Sequence, residues 1–513
     1  MNDQPPIFSN DDGWIIGAYD PPLTPERLWD CMIAPYLDTP VNTFLWSVGG
    51  HEVYDFETQV GERFGTDWPL SDPAQVKRSI NLNHLIQHYG GPVTVIAQLC
   101  RRAGLRFFPS VRMNEHYDMD ESAANYGALR RDHLDLLIGR PGEDLTPGSI
   151  PWGIRTGLNY AEAEVRAHMS RLVFELFEDF DVDGIELDFM RHPAFFRVEE
   201  AQAKGHLLTE MIAQIRQGMD RAGNAKGQRL ELAIRVPPSI TDCRRIGLEV
   251  DTWLQQGLVD VLIGGGGFIP FEMPMAQFAT LAKANNCTLL GCFESLRPTQ
   301  DESLLYAAAA RYWDAGVDGL YFFNFYSMAS QWRQRVIGCM ADPQQLARQD
   351  KRYELDNALR TEPTTQLGLS FRNAIPNVQL STRWTDTLQL QLEIADDLPA
   401  ARQAGQLKHC TLGLGFEKLE EDIELEIRMN GKTLAWDERQ VPAQGWKRDA
   451  FDDEWNIYPT RIKQVAVEGD LLEFDLAEVP LNKGINNLEL RLVKPAAQTP
   501  PLINEVHLDI AYI

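Results

Sequence analysis

The chain twice runs an amphipathic helix into an Asp-Gly pair and then a buried strand, and this repetition constrains its fold more than any other feature. From Ala161 to Phe180 the apolar residues Val165, Met169, Leu172, Val173, Leu176, Phe177 and Phe180 recur at helical spacing, and Asp183-Gly184-Ile185-Glu186-Leu187-Asp188-Phe189 follows. A second helical pattern, Glu302 to Trp313, leads through Val317-Asp318-Gly319 into Leu320-Tyr321-Phe322-Phe323-Asn324-Phe325. Helices alternating with buried strands imply parallel βαβ units, and enough such units close into a barrel. Candidate strands are Trp14–Ala18, Thr43–Val48, Arg106–Val111, Gly184–Phe189, Leu230–Val236, Val259–Ile263, Thr288–Phe293 and Gly319–Phe325. The predicted class is therefore α/β, with a (β/α)8 TIM barrel over residues 1–345. Two long segments, Gly49–Asp72 and Arg112–Asn159, follow strands, so they are expected to hang over the C-terminal mouth of the barrel.

From about Leu367 helical periodicity gives way to alternating runs: Leu388-Gln389-Leu390-Gln391-Leu392, Ile423 to Ile427, Leu488 to Leu492 and Val506 to Ile510. These predict half-buried antiparallel strands and a β-sandwich over 367–513. The polar, Pro-containing stretch Ala341–Thr365 separates the two textures, and a linker is set at 346–366. Packing is the expected role of the sandwich, ahead of glycan contact.

In the strand after Asp183-Gly184, Ile185, Leu187 and Phe189 point one way and Glu186 and Asp188 the other. Two acids in an apolar strand are costly unless partnered or put to use. A close pair of carboxylates is the apparatus of glycosidic-bond cleavage; the alternative is a hydrogen-bonded structural pair. Other polar residues collect at strand ends: Arg112, Asn114 and His116 after the third strand, Arg191 and His192 after the fourth, Arg235 in the fifth, Glu294 after the seventh, and Asn324 and Tyr326 at the eighth. Asp188 and Glu294 are the principal catalytic candidates, one as nucleophile or base and the other as general acid. Glu186 is the third, a residue that, with Arg191, positions or tunes Asp188. Arg112, Asn114, His116, Arg191, His192, Arg235, Asn324 and Tyr326 are the substrate-binding candidates. The three arginines have two possible uses, pairing with Glu186 and Asp188 or gripping a carboxylate or sulfate on the substrate. Trp46, Trp68, Trp152 and Tyr160 are candidates to stack on sugar rings or to anchor the loops.

Three stretches taken in order, Asp132-His133-Leu134-Asp135-Leu136-Leu137, Leu158-Asn159-Tyr160-Ala161 with Glu164-Val165-Arg166, and Val182 through Pro193, resemble the glycosyl-hydrolase-like TIM-barrel proteins. That group carries a strand of the type Asp-Gly-Ile-x-x-Asp-Tyr/Phe-x-Arg-x-Pro. The resemblance implies a glycosidase-type barrel with an acid at Asp188; it spans much of the barrel and none of the C-terminal region. Glu186 departs from the pattern, since many relatives have no acid there. Clan A glycosidases offer a looser analogy, with acids at the fourth and seventh strands, but the Asn-Glu dipeptide usual at their fourth strand is missing here.

Composition sets the remaining limits. A net charge of −26 argues against nucleic acid and anionic membranes as partners. The N-terminus Met-Asn-Asp-Gln-Pro-Pro has neither a basic region nor an apolar core, so a cytoplasmic location is expected unless a leader has been removed. Seven cysteines without paired spacing read as reduced thiols rather than disulfides or a zinc site. There is no phosphate loop, His-Glu-x-x-His helix or calcium loop, and Gly264–Gly267 reads as a flexible connection, so no cofactor or metal is expected. The combined expectation is a glycoside hydrolase acting on an oligo- or polysaccharide, neutral or anionic. Its rivals are a non-catalytic glycan-binding barrel and a lyase acting on acidic glycans.

Overall fold

Eight strands pair in parallel into a closed barrel in the computed structural model, which describes residues 4–11, 13, 15–50, 52–66, 70–115, 124, 126–147, 149–237, 239–265, 274–294, 301–355, 378–379, 386–417, 419, 423–449, 466–494 and 501–513. The barrel strands are β1 Ile7–Asp11, β2 Thr43–Ser47, β3 Arg106–Arg112, β4 Gly184–Asp188, β5 Glu231–Val236, β6 Val261–Gly264, β7 Thr288–Glu294 and β8 Gly319–Phe323, with β1 closing onto both β2 and β8. By its contacts the chain divides into two compact units, residues 1–296 with 315–341 and 362–370, and residues 297–314 with 342–361 and 371–513.

Seven of the eight strands lie where the hydropathy pattern predicts them. The first does not: Ile15–Ala18, within the predicted strand, is a helical turn, and the strand is Ile7–Asp11. Its apolar run is short because Asn10 faces the polar interior, and a reading that counts apolar residues discards such a strand. Gly13 makes the exit turn, with φ +86° and no room for a Cβ against the Ser47 carbonyl. At the other end β8 stops at Phe323, because Asn324 adopts φ +63° and sends its N–H to the Asn10 carbonyl.

A recurring clamp explains the Asp-Gly echo. Asp183 and Asp318 each use the backbone N–H to bond the carbonyl of one residue on the preceding strand, Phe107 or Leu289, and accept that residue's N–H on Oδ2 at 2.9 and 2.8 Å. Asp260 does the same with Leu232, and Asn42 with Ile7. Each clamp stands just before an even-numbered strand and ties it to the odd-numbered strand before it. The glycine after two of the clamps has a packing reason. A Cβ on Gly184 would collide with the Phe108 ring, and one on Gly319 with Leu290 and Pro6.

Barrel interiors are filled by layers of four side chains drawn from alternate strands. Following the pairing register, Phe8, Phe108, Ala233 and Leu290 form a lower layer; Leu45, Glu186, Ile263 and Tyr321 come next, then Asn10, Ser110, Arg235 and Cys292. Above them, toward the C-terminal mouth, come Ser47, Asp188 and Phe323, and then Arg112 and Glu294. The core is thus apolar below and polar above. Its lower part includes the edge-on Phe8–Phe108 pair, with centroids 5.7 Å apart.

The two long segments that leave β2 and β3 are joined by ion pairs. Arg130 meets Glu52 at 2.7 Å in a buried pair and Arg131 meets Glu62 in a partly buried one, while Arg112 meets Glu115 at 2.6 Å within the second segment. Glu52 holds φ +61°, and a Cβ on Gly50 would displace the Glu115 carboxylate.

The C-terminal unit is a β-sandwich. Its strands are β9 Lys351–Glu354, β10 Leu388–Ile394, β11 Leu407–Phe416, β12 Glu424–Met429, β13 Lys432–Leu434, β14 Trp446–Asp449, β15 Ala466–Asp475, β16 Gly484–Lys494 and β17 Leu502–Tyr512. One sheet runs β9-β17-β11-β15-β14, with Val378–Gln379 also on β17; the other runs β10-β16-β12-β13. Every second residue enters the core, as Leu390, Leu392 and Ile394 do from β10 and Leu488, Leu490 and Leu492 from β16. Strand β9 falls inside the stretch 346–366. Among the described residues no helix is long and apolar enough to cross a membrane, and all seven cysteines are free thiols.

Candidate active site

Strand β4 delivers both of its acids into the barrel, as the alternation predicts. Asp188 is 1% exposed and Glu186 is wholly buried. They live in different surroundings. Asp188 accepts four hydrogen bonds: Oδ1 takes the backbone N–H groups of Met190 (2.9 Å) and Arg191 (3.1 Å) and Nε of Arg235 (3.0 Å), and Oδ2 takes Nη2 of Arg235 (2.7 Å). The bend after β4 folds its own amides back onto the carboxylate, while Arg235, one strand over at the paired position, grips it with two parallel bonds. The Arg235 guanidinium also lies 3.9 Å from the centre of the Phe323 ring. Asp188 thus has a guanidinium and two backbone amides turned onto its carboxylate.

Glu186, one turn of the pleat deeper, has neutral partners. Asn10 donates from Nδ2 to Glu186 Oε2 and to the Tyr321 hydroxyl, both at 2.8 Å. Burial, and then the charge of Asp188, push the Glu186 carboxyl up to about 7, with Arg235 and the Ser110 and Tyr321 hydroxyls opposing them. Among the described residues Glu186 Oε1, Asn10 Oδ1, Ser47 Oγ and Arg235 Nη1 are buried without a hydrogen-bond partner. Burial and neighbouring carboxylates likewise raise the Tyr321 hydroxyl well above its ordinary range, and burial first of all raises the Cys292 thiol, so both stay protonated.

Glu294 ends β7, 9% exposed, in register with Phe323, on the interior-facing parity set by Leu290 and Cys292. The C-terminal end of the barrel therefore collects Asp188 from β4, Arg235 from β5 and Glu294 from β7.

Several binding candidates have other occupations. Asn114 gives Nδ2 to the Leu158 and Ala194 carbonyls and accepts the Leu158 and Glu115 N–H groups and Arg130 Nη2 on Oδ1, so its amide fastens the loop. Arg235 is wholly buried and committed to Asp188. Arg112 pairs with Glu115. Arg191 and His192 are buried in the bend after β4. Asn324 and Tyr326 are half-buried beside the end of β8, and His116 lies outside the described residues. Trp46 and Tyr160 are fully buried, so neither offers a face to a sugar; Arg155 stacks over Trp152 at 4.1 Å, and Trp68 lies outside the described residues. Sequence reasoning missed Asn10, Ser47, Ser110 and Tyr321. Once β1 is placed, the alternation Phe8/Asn10 and the pattern Tyr321/Phe323 would have found two of them. Among the described residues no group of three or more His, Cys, Asp or Glu could hold a metal ion.

No family model matches the chain, and no curated protein sequence matches it. Solved structures do. The α-L-fucosidase isoenzyme 2 of Paenibacillus thiaminolyticus is similar with a TM-score of 0.39 at 12% identity, over 65% of this chain and 48% of that one. The endo-β-1,4-mannanase of Thermotoga petrophila has a TM-score of 0.41 at 9% identity, over 99% and 98%. The glycoside hydrolase domain of PelA from Pseudomonas aeruginosa has 0.36 at 12%, over 63% and 95%. The chain spans about half the length of the fucosidase, and 56% of the GH36 α-galactosidase AgaA of Geobacillus stearothermophilus.

Proposed function

We propose that the barrel is a glycoside hydrolase acting on a neutral oligo- or polysaccharide, with Asp188 as the ionised carboxylate and Glu294 as the proton donor. The observation that carries this reading is the contrast at the mouth end of the barrel. One acid, Asp188, is gripped by Arg235 and two backbone amides, and a second, Glu294, comes from β7 on the same interior face. Among the described residues Asp188 Oδ2 accepts from Arg235 alone, which leaves it a lone pair for an anomeric carbon or for an attacking water. Glu294 then protonates the departing glycosidic oxygen and recovers its proton from water in the closing half of the reaction. Neutral sugars are favoured because Arg235 and Arg112, which could have gripped an anionic group, both have carboxylate partners inside the protein. Asn324 and Tyr326 are the remaining described candidates for sugar hydroxyls.

The complete burial of the Asp188–Arg235 pair favours a second reading, a glycan-binding barrel in which the pair is structural. Product release from a panel of neutral, uronic and sulfated glycans separates the two. Hydrolysis should fall by about 10²–10⁴-fold in Asp188→Asn and in Glu294→Gln while sugar binding persists, and the Glu294→Gln loss should shrink on aryl glycosides whose leaving group needs no proton. Binding by the wild type without turnover would replace the enzyme with the glycan-binding barrel.

A further inference from the structure

In the layers next to Arg235 the barrel core presents two carboxylates, Glu186 and Asp188, to one guanidinium, and how it is arranged shows which carboxylate has the cation. Arg235 stands in the layer between Glu186 and Asp188 but turns Nε and Nη2 upward to Asp188, leaving Glu186 with the neutral amide of Asn10. The groups that face Glu186 come from every side of the barrel: Asn10 from β1, Ser110 from β3, Asp188 from its own strand, Arg235 from β5, the Cys292 thiol from β7 and the Tyr321 hydroxyl from β8, with apolar Leu45 and Ile263 completing its layer. None of these except Arg235 is a cation. A second anion in so dry a place would have a single candidate counterion, already taken.

We infer that Glu186 is the neutral, proton-carrying member of the pair and a positioning residue for Asp188: while it keeps its proton, Arg235 stays closed on Asp188, and when the proton leaves to solvent, Arg235 is drawn toward Glu186 and Asp188 loses its fixed orientation. The atoms for the alternative pairing are in place, since Arg235 Nη1 and Glu186 Oε1 are both buried without a hydrogen-bond partner among the described residues. The raised Glu186 carboxyl, at about 7, puts the switch near neutrality. This deepens the proposed hydrolase, because it would give the alkaline limb of the pH–rate profile, which the loss of the Glu294 proton also shapes, a contribution from a residue that touches no substrate. The protonation state itself does not depend on that reading.

The test is infrared spectroscopy of the full-length protein without substrate, titrated from pH 5 to pH 9. The wild type should show a protonated-carboxyl C=O band at pH 5 that disappears with a midpoint near 7; the band should be missing in Glu186→Gln and present in Asp188→Asn. If Glu186→Gln does not fold, Tyr321→Phe serves instead: loss of the hydroxyl that favours the ionised form should move the midpoint upward, where a merely structural residue would leave it unchanged. A wild type with no such band at pH 5 to 6, or one whose band survives Glu186→Gln, overturns the inference whether or not a substrate is found. Where turnover is measurable, Glu186→Gln should move the alkaline limb of kcat/KM upward from neutrality, toward the limit set by Glu294, while leaving the acid limb in place. An alkaline limb unmoved by the substitution would overturn the link to Asp188.

Discussion

Arg235 decides the charge balance of the interior, and its removal tests that balance. Arg235→Met should destabilise the protein by about 3–5 kcal/mol, because it leaves Asp188 buried as an anion without a cation. The double variant Arg235→Met with Asp188→Asn should recover part of that loss, since no uncompensated charge remains; urea unfolding of the three variants makes the cycle. Glu186 supplies a pH test of opposite sign to the usual carboxylate. Its carboxyl is raised in the folded state from 4.5 to about 7, so the native protein binds the extra proton between those values and stability falls as pH rises through them. Wild type should therefore lose stability relative to Glu186→Gln by on the order of 3 kcal/mol between pH 4.5 and 7, with no further change above, at roughly 1.4 kcal/mol per pH unit. Unfolding midpoints of both proteins at pH 5 and pH 8 would measure it.

At the scale of elements, the four clamps at Asn42, Asp183, Asp260 and Asp318 make one device used once per pair of strands. Each aspartate version is a charge-assisted bond to a backbone N–H plus a backbone bond that it orients. Asp183→Ala or Asp318→Ala should cost about 1.5–3 kcal/mol. The clamps sit on different strand pairs and share no partner, so the two losses should add in the double variant. Gly184 is a packing requirement of the same region. Gly184→Ala should destabilise by about 1–3 kcal/mol because the Glu231 carbonyl and the Phe108 ring both stand where a Cβ would go, and Phe108→Leu in that background should return only the ring's share, as thermal unfolding would report.

For the molecule as a whole, a net charge of −26 acts on any charged ligand that approaches. If the substrate is neutral, as proposed, kcat/KM should be nearly independent of salt. A uronic or sulfated substrate would instead show kcat/KM rising as salt screens the repulsion, over the ionic-strength range in which the Debye length falls from about 30 to 10 Å. A salt titration on the active members of the glycan panel distinguishes them. The two long segments after β2 and β3, tied by Arg130–Glu52 and Arg131–Glu62, form one ion-paired assembly rather than two independent flaps.

Periodicity alone was enough to determine the barrel, the sandwich and the inward direction of Glu186 and Asp188, because a period of 3.6 or 2 is a local property that survives whatever surrounds it. It failed at β1, where Asn10 is polar for the sake of neighbours on β4 and β8 that are 176 and 311 residues away along the chain. Partnership was likewise out of its reach. Asn114, Arg112 and Arg235 looked equivalent as polar residues near strand ends, yet one fastens a loop, one pairs with Glu115 and one closes on Asp188. The sequence by itself determined that two acids would share the interior face of one strand; only the tertiary structure decided which of them would receive the single guanidinium. Burial and distance set that choice, and both arise from strands that meet only when the barrel closes.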